Sequence, residues 1–543
     1  MKVTQAVAAA LSESGVDHVF GLLGSGNFLV ANEMVARGAK FIASRHETGA
    51  VTMADAYARV SGRLGVCTVH QGPGLTNAIT GLTEATKSRT PLLLLAGETS
   101  ATAIRSNFRI DQAALVASVG ALPERLNSPA TAVDDALRAA RRARAERRPV
   151  VLMMPLDVQS GESSTTDLRV SPQLRPSRPD EQAVAEVVRR IESASRPLII
   201  GGRGAVLAGA GPHLEELADA IGGLLATSAV ANGLFAENPW SLGISGGFAS
   251  PVAAELIAQA DLVLAFGASL NMWTTLHGRL FGSDPVIIQV DDQPEAFGAH
   301  RRVDLAILGD AAETAQAVRT ALKRTQNRWR QSEVADRIRK GRWRFQPYAD
   351  GGTEKTIDPR TLSISLNEML PSNRAVAVDS GHFMCYPAMY LEVESPDAFI
   401  FTQGFQSIGL GLATAIGAAV ARPDRITVAA LGDGGALMAA PEFETAGRLG
   451  VPILIVVYND AAYSAEVHHF GPMGEPVDLV RFPDTDFVAL GRAFGIDGVT
   501  VRGPNDLDAV REWAARAGSP FMVDAKVEPT VVAPWLEEAM RGH

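Results

Sequence analysis

The sequence predicts an α/β protein made of three doubly wound parallel-sheet domains. Its length of 543 residues gives room for several cores of ordinary size. Short β-branched or aliphatic runs alternate with helical patterns from end to end, which is the signature of parallel layers joined by crossover helices. Several of the runs end in glycine-rich or polar turns, and open parallel sheets gather their ligands at that edge.

In residues 1–160 the predicted strands are Phe41 to Ser44, Gly65 to His70 and Leu92 to Ala96. Ser160 to Asp180 is rich in Ser, Thr, Pro and Arg without an apolar period, and reads as a linker. Residues 181–325 carry Leu198 to Gly201, Leu262 to Phe266 and Val286 to Val290. A second linker, Thr325 to Asp358, is charged and aromatic, with some helical pattern at its start. Residues 355–535 carry Ala375 to Val378, Thr427 to Leu431, Ile453 to Tyr458 and Phe521 to Ala525.

Composition excludes several classes. Hydrophobic residues make up 46% and charged ones 20%, so the chain folds rather than staying disordered. A net charge of −10 argues against nucleic acid as a general partner. The one basic cluster, Arg138 to Arg148, is interleaved with alanine and reads as the solvated face of a helix. Cys67 and Cys385 are too few and too far apart for a disulfide framework and indicate a reducing compartment. Met1 to Gly15 is amphipathic rather than a signal peptide. No run approaches the roughly 20 apolar residues of a membrane helix. The expectation is a cytoplasmic protein with no membrane partner.

The most informative spacing lies near the C-terminus. Gly432-Asp433-Gly434 and Asn459-Asp460 are separated by 24 residues. Arg425 to Leu431 and Val451 to Tyr458 read as buried strands flanking a helix that opens at Pro441-Glu442 and stops at Gly450. The two strand ends then lie side by side, each bringing a hard oxygen ligand to one crevice beside a glycine turn. That combination suits magnesium shared with a diphosphate. Near the N-terminus, His46-Glu47 follows a strand and opens the helical run Thr48 to Val60; a carboxylate there is also what a helix dipole favours. Gln71-Gly72-Pro73-Gly74-Leu75-Thr76-Asn77 follows the strand ending at His70, either as a tight turn or as a binding loop.

In this order the motifs resemble those of thiamine diphosphate (ThDP) enzymes, in the acetolactate-synthase-like and 2-oxo-acid decarboxylase group. Arg45-His46-Glu47 with Ala54 to Arg59 is similar to the family's RHE…AxGYAR stretch, and Gly72-Pro73-Gly74 with Asn77 to its GPGxxN loop. Val19-Phe20-Gly21 with Gly24-Ser25-Gly26-Asn27 is similar to its FGxxG segment. The resemblance covers the whole chain and implies pyrimidine-binding, central and diphosphate-binding domains in that order. Asp460 departs from it, since the family ends this motif in Asn-Asn and the second residue ligates the metal.

The resemblance implies ThDP and Mg2+ as cofactors, with Asp433, Asp460 and the main-chain carbonyl of Ala462 as metal ligands. Glu47 is the residue that exchanges a proton with the pyrimidine ring, and His70 is a proton shuttle. At His70 acetolactate synthases usually carry a hydroxyl residue, and benzoylformate-decarboxylase-like enzymes a histidine. Gly24, Gly72, Asn77, Gly381, His382, Gln406, Ile408, Gly432, Gly434, Gly435 and Tyr463 are assigned to cofactor contact, with Ile408 as the apolar wedge under the bent cofactor. Ser25, Gln71, Gln112 and His468 are assigned to substrate. His468-His469 is expected in a mobile segment over the site. The arginine-bearing stretch that follows Phe266-Gly267 in flavin-binding relatives is replaced by Ala268 to Trp273, which argues against FAD. The expected activity is carboligation: a 2-oxo acid loses carbon dioxide and the remainder passes to an aldehyde or ketone acceptor. The alternatives are simple decarboxylation and a non-catalytic, cofactor-binding relative. The resemblance further implies a homodimer or homotetramer with the site at a subunit interface.

Overall fold

The computed structural model describes residues 1–163, 175–282, 284–323 and 329–541. Its strands form three six-stranded parallel sheets. The first contains β1 (His18–Gly21), β2 (Lys40–Ala43), β3 (Gly65–Val69), β4 (Leu92–Glu98), β5 (Leu122–Arg125) and β6 (Pro149–Pro155), in the order β2-β1-β3-β4-β6-β5. The second contains β7 (Pro197–Gly201), β8 (Leu224–Thr227), β9 (Ser241–Ile244), β10 (Leu262–Phe266), β11 (Val286–Asp291) and β12 (Leu305–Leu308), in the order β12-β11-β10-β7-β8-β9. The third contains β13 (Arg374–Val378), β14 (Phe399–Phe401), β15 (Ile426–Gly432), β16 (Ile453–Asn459), β17 (Asp497–Val501) and β18 (Phe521–Lys526), in the order β14-β13-β15-β16-β18-β17.

Shifting every label of the first sheet by twelve gives the third, so the outer units share one topology. All ten strands read from the sequence are present, each within a residue or two of its expected ends. Most of those not anticipated lie toward sheet edges and are short and incompletely buried. β5 and β17 never show the continuous apolar run that marks a strand covered on both faces, and β12, though apolar, is only four residues long and largely uncovered. The long, fully buried β6 was also missed: prolines bound it, and its Leu-Met-Met stretch lacks β-branching. The first linker falls largely outside the described residues. The second begins outside them and then holds a helix, Ser332–Lys340.

The outer units share a core. Met53, Leu75 and Leu82 of the first belong to one buried cluster with Leu412, Ile416 and Phe443 of the third. Helix Glu47–Ser61 crosses helix Gly411–Ala421, and a Cβ at Gly417 would lie 2.2 Å from the Met53 carbonyl. Only glycine permits that crossing. The two helices each follow the second strand of their sheet, so their packing relates the outer units as approximate mirror partners in sequence. No helix among the described residues is long and apolar enough to cross a membrane.

Candidate active site

In each outer sheet the strand order reverses beside the first strand, between β1 and β3 and between β13 and β15. An α/β sheet opens its ligand crevice at that point, outside the carboxyl ends of the strands. The predicted residues collect at these two crevices.

In the third unit, Gly432 ends β15 opposite Tyr458 of the parallel β16, so Asp433 and Asp460 leave adjacent strands at nearly the same level. The Gly434 turn is pressed on Tyr463; a Cβ there would lie 2.4 Å from the ring. Ala461 takes a left-handed conformation, φ 55°, which brings the Ala462 amide back to donate to both carboxyl groups. Burial, then repulsion from Asp460, pushes Asp433 up to about 7. Burial pushes Asp460 up to about 6, against the stabilising hydrogen bond from the Ser464 hydroxyl. Asn459, by contrast, is 3% exposed and turns back into the sheet, donating to Asp524 at 2.9 Å and to the Thr485 carbonyl at 3.3 Å. Of that pair, Asp460 alone offers a carboxylate beside Asp433.

Sequence reasoning missed Asp379. It stands at the end of β13, fully buried, and accepts hydrogen bonds from the amides of Ser380 (2.8 Å), Gly409 (2.9 Å) and Leu410 (3.2 Å). Those bonds hold the loop that carries Gln406, at φ 63°, and the half-buried Ile408. Burial raises Asp379 to about 6 despite them. Its signal was available: a carboxylate at the end of a buried strand, two residues before Gly381.

The first unit brings Glu47, Asn77, His70 and the Gly24–Asn27 turn to one crevice. His46 caps the helix of Glu47 by accepting from the Thr48 amide at 3.2 Å. Glu47 is 8% exposed, and Asn77 Nδ2 donates to its Oε2 at 3.1 Å. The Gly26 amide donates to His70 Nδ1 at 3.1 Å, and the edge of Phe108 meets the His70 ring at 5.1 Å between centroids. Burial lowers His70 below the ordinary histidine range, with the charge of Glu47 opposing. Gln71 is 4% exposed and its Oε1 has no partner among the described residues. Gln112 accepts from the Gly72 amide and donates to the Gly97 carbonyl, both at 3.0 Å, which braces the glycine loop. Ser25 is exposed at the tip of its turn.

His382 lies apart from this arrangement. Its Nε2 accepts from the Ala533 amide at 2.8 Å, so its ring binds the C-terminal segment, and burial lowers it to about 3, leaving it neutral. His468 lies 4.6 Å from it, ring to ring. The segment of His468-His469 forms the helix Ser464–Phe470, followed by the 3-10 turn Gly471–Met473. The Ser464–Asp460 hydrogen bond ties the start of this helix to β16.

In the central unit, a cleft of about 500 Å3 lies between all three units, lined among others by Arg59, Arg147, Arg203 and Asp291. The Gly201-Gly202-Arg203-Gly204 turn has its glycines occupied locally: a Cβ at Gly202 would lie 2.2 Å from the Gly267 carbonyl. They allow two turns to pack backbone to backbone.

The halves with Glu47 and with Asp433 lie on different units. Each is ringed by exposed apolar side chains: Phe28, Leu29, Phe108 and Ile110 around the first, and Phe405, Leu437, Met438 and Phe482 around the second.

Residues 1–115, 184–318 and 379–525 match, respectively, the N-terminal TPP binding domain, the central domain and the C-terminal TPP binding domain of thiamine pyrophosphate enzymes. The chain is similar to a probable 2-ketoarginine decarboxylase, AruI, of Pseudomonas aeruginosa, 32% identical over 95% of this chain and 91% of that protein. It is also similar to a probable acetolactate synthase large subunit of Methanocaldococcus jannaschii, 26% identical over 99% and 93%. A sulfoacetaldehyde acetyltransferase of Rhodobacter capsulatus is 27% identical over 99% and 96%.

Proposed function

Because the chain belongs to the thiamine pyrophosphate enzyme family, in its acetolactate-synthase-like group, we propose that it cleaves carbon dioxide from a 2-oxo acid, using ThDP and Mg2+. The reading is carried by the pair Asp433 and Asp460, two neighbouring carboxyls whose charged forms burial disfavours and a cation would stabilise. They are too few to hold a metal alone, and among the described residues no group of three or more His, Cys, Asp or Glu could do so. Asp433, Asp460 and the Ala462 carbonyl would hold a hard cation beside an anionic cofactor. The residues present therefore suit the cofactor.

Bound there, ThDP supplies the carbon nucleophile that adds to the substrate carbonyl and the electron sink for decarboxylation. The amides of the Gly432–Gly435 turn would receive the diphosphate, with Gly381 and the backbone of His382 beside them. Ile408, on the loop that Asp379 holds, would support the cofactor. Glu47, fixed by Asn77 at the other half, exchanges a proton with the pyrimidine ring. His70, neutral and beside Glu47, offers a proton for the product, and Ser25 and Gln71 face the substrate from the same crevice. Glu47 from one copy of the chain joins Asp433 from another, which the apolar rims of both half-sites support. The units correspond to domains 1–160, 181–325 and 355–535.

His70 favours protonation of the decarboxylated substrate, and so a non-oxidative decarboxylase, as does the decarboxylase named among the relatives. Transfer to an aldehyde or ketone acceptor is the second reading, supported by the acetolactate synthase and acetyltransferase relatives. Purified protein with ThDP, Mg2+ and a panel of 2-oxo acids, followed by NMR, separates them. An aldehyde product supports the first reading and an acyloin or acetolactate-type product the second. No turnover on any acid, with cofactor bound, refutes both.

A further inference from the structure

Asn27 does not do what its position suggests. It occupies the N-cap of helix Phe28–Ala36, where an asparagine side chain ordinarily accepts from the first turn. Its side chain makes no such bond. Although fully buried, it spends its polar atoms backward instead. Oδ1 accepts from the Gly24 amide at 2.9 Å, while Nδ2 donates to the Leu22 carbonyl at 3.2 Å and to Thr68 Oγ1 at 3.1 Å. Thr68 is anchored in turn by its bond to the Leu95 carbonyl at 3.0 Å. The Gly24–Asn27 turn is thus tied to β3 two residues before His70.

So tied, the turn lies flat on the imidazole. A Cβ at Gly24 would sit 2.8 Å from His70 Cγ, and one at Gly26 would sit 2.5 Å from Gln71 Oε1. The Gly26 amide can only donate, and it reaches His70 Nδ1 at 3.1 Å. The nitrogen that accepts cannot carry the proton in a neutral ring. Burial keeps the ring neutral.

We propose that Asn27 is a positioning residue that sets the tautomer of His70: it holds the Gly26 amide on Nδ1, so that the one ring proton sits on Nε2. This makes His70 a donor through a single nitrogen. The use of that proton in the reaction rests on the function proposed above, while the tautomer itself does not.

The test uses the holoenzyme labelled with 15N-histidine and read by long-range 1H–15N correlation, with His70 assigned from its loss in His70→Gln. In the native protein the unprotonated, pyridine-type nitrogen should be Nδ1. A proton on Nδ1 overturns the proposal whatever the enzyme's activity. In Asn27→Ala, His70 should become a mixture of tautomers. In parallel kcat should fall by about tenfold, a part of the roughly 10² to 10⁴ carried by a general acid. A pure Nε2–H tautomer in that variant overturns the role of Asn27. Should Asn27→Ala not fold, Asn27→Ser, which keeps a polar atom at the site, is held to the same two readouts. If the tautomer is as proposed but His70→Gln turns over normally, the functional reading fails and the assignment of the tautomer stands.

Discussion

Asp460 is a single-residue departure with a measurable consequence. It places a second carboxylate beside Asp433, and each is raised, to about 6 and about 7, chiefly by burial. A carboxyl raised in the folded state binds its proton more tightly there than in the unfolded chain. Without metal, the protein therefore loses stability as pH rises from about 4 to about 7. A cation must displace those protons, so Mg2+ affinity should increase over the same interval as pH rises through 6 and 7. Calorimetry in buffers of different ionisation enthalpy should detect proton release near pH 6.5. In Asp460→Asn that release should shrink, and the metal-free protein should melt a few degrees higher at pH 8. An unchanged pH dependence would show that the second charge has no part in binding. Glu47 gives the complementary case. Glu47→Gln keeps an amide oxygen for Asn77 but no exchangeable carboxyl proton, so kcat should drop by roughly 10²-fold or more at an unchanged melting temperature. Near-normal turnover would remove Glu47 from the chemistry.

At the scale of elements, the two related units hold each other's loops with one carboxylate apiece. Glu84, 1% exposed on helix Pro73–Lys87, accepts from the amides of Gly404 (3.2 Å) and Phe405 (2.7 Å), just before the segment of Gln406 and Ile408. Glu442, 3% exposed on helix Pro441–Leu449, accepts from the amides of Arg45 (3.1 Å) and His46 (3.0 Å), just before Glu47. Hydrogen bonds to a buried carboxylate contribute about 1.5–3 kcal/mol, or roughly tenfold and upward in an equilibrium. Glu84→Gln should therefore weaken ThDP binding by about tenfold in a fluorescence titration, while Glu442→Gln should mainly lower kcat. Equal losses in both quantities from both variants would indicate general loosening instead. Neither contact was legible in the sequence. Asp433, Asp460 and Glu47 could be read because strand, turn and residue type coincide within a short span. Glu84 and Glu442 act on loops more than 300 positions away, and Gly26 meets His70 only because β1 and β3 are neighbours in the sheet. Most of the strands read from the sequence are buried central ones, found for the same local reason, while β5 and β17, polar or proline-bearing at sheet edges, were not.

For the whole molecule, the question is which copies of the chain complete a site. Helix Glu47–Ser61 packs against helix Gly411–Ala421 of its own chain, and its start is held there by Glu442. Both half-sites nevertheless keep apolar side chains in the open, such as Ile110 at 39% and Met438 at 56% exposure. A second copy that covers one rim with the other would bury both and would bring Glu47 to the partner's carboxylate pair. A symmetric dimer then contains two equivalent sites, each with one half from either copy. This has a consequence that activity alone can test. Glu47→Gln and Asp433→Asn should each be nearly inactive as homodimers. Unfolded and refolded together in equal amounts, they should recover activity. In a mixed dimer one site receives both substitutions and the other neither, and half the dimers are mixed. About a quarter of native activity should therefore return under random pairing. If each chain completed its own site, every site in the mixture would carry one substitution and nothing would return. An affinity tag on one variant alone, with the untagged variant recovered on the affinity resin, would confirm that the chains had exchanged, so that a silent result counts against the shared site rather than against mixing.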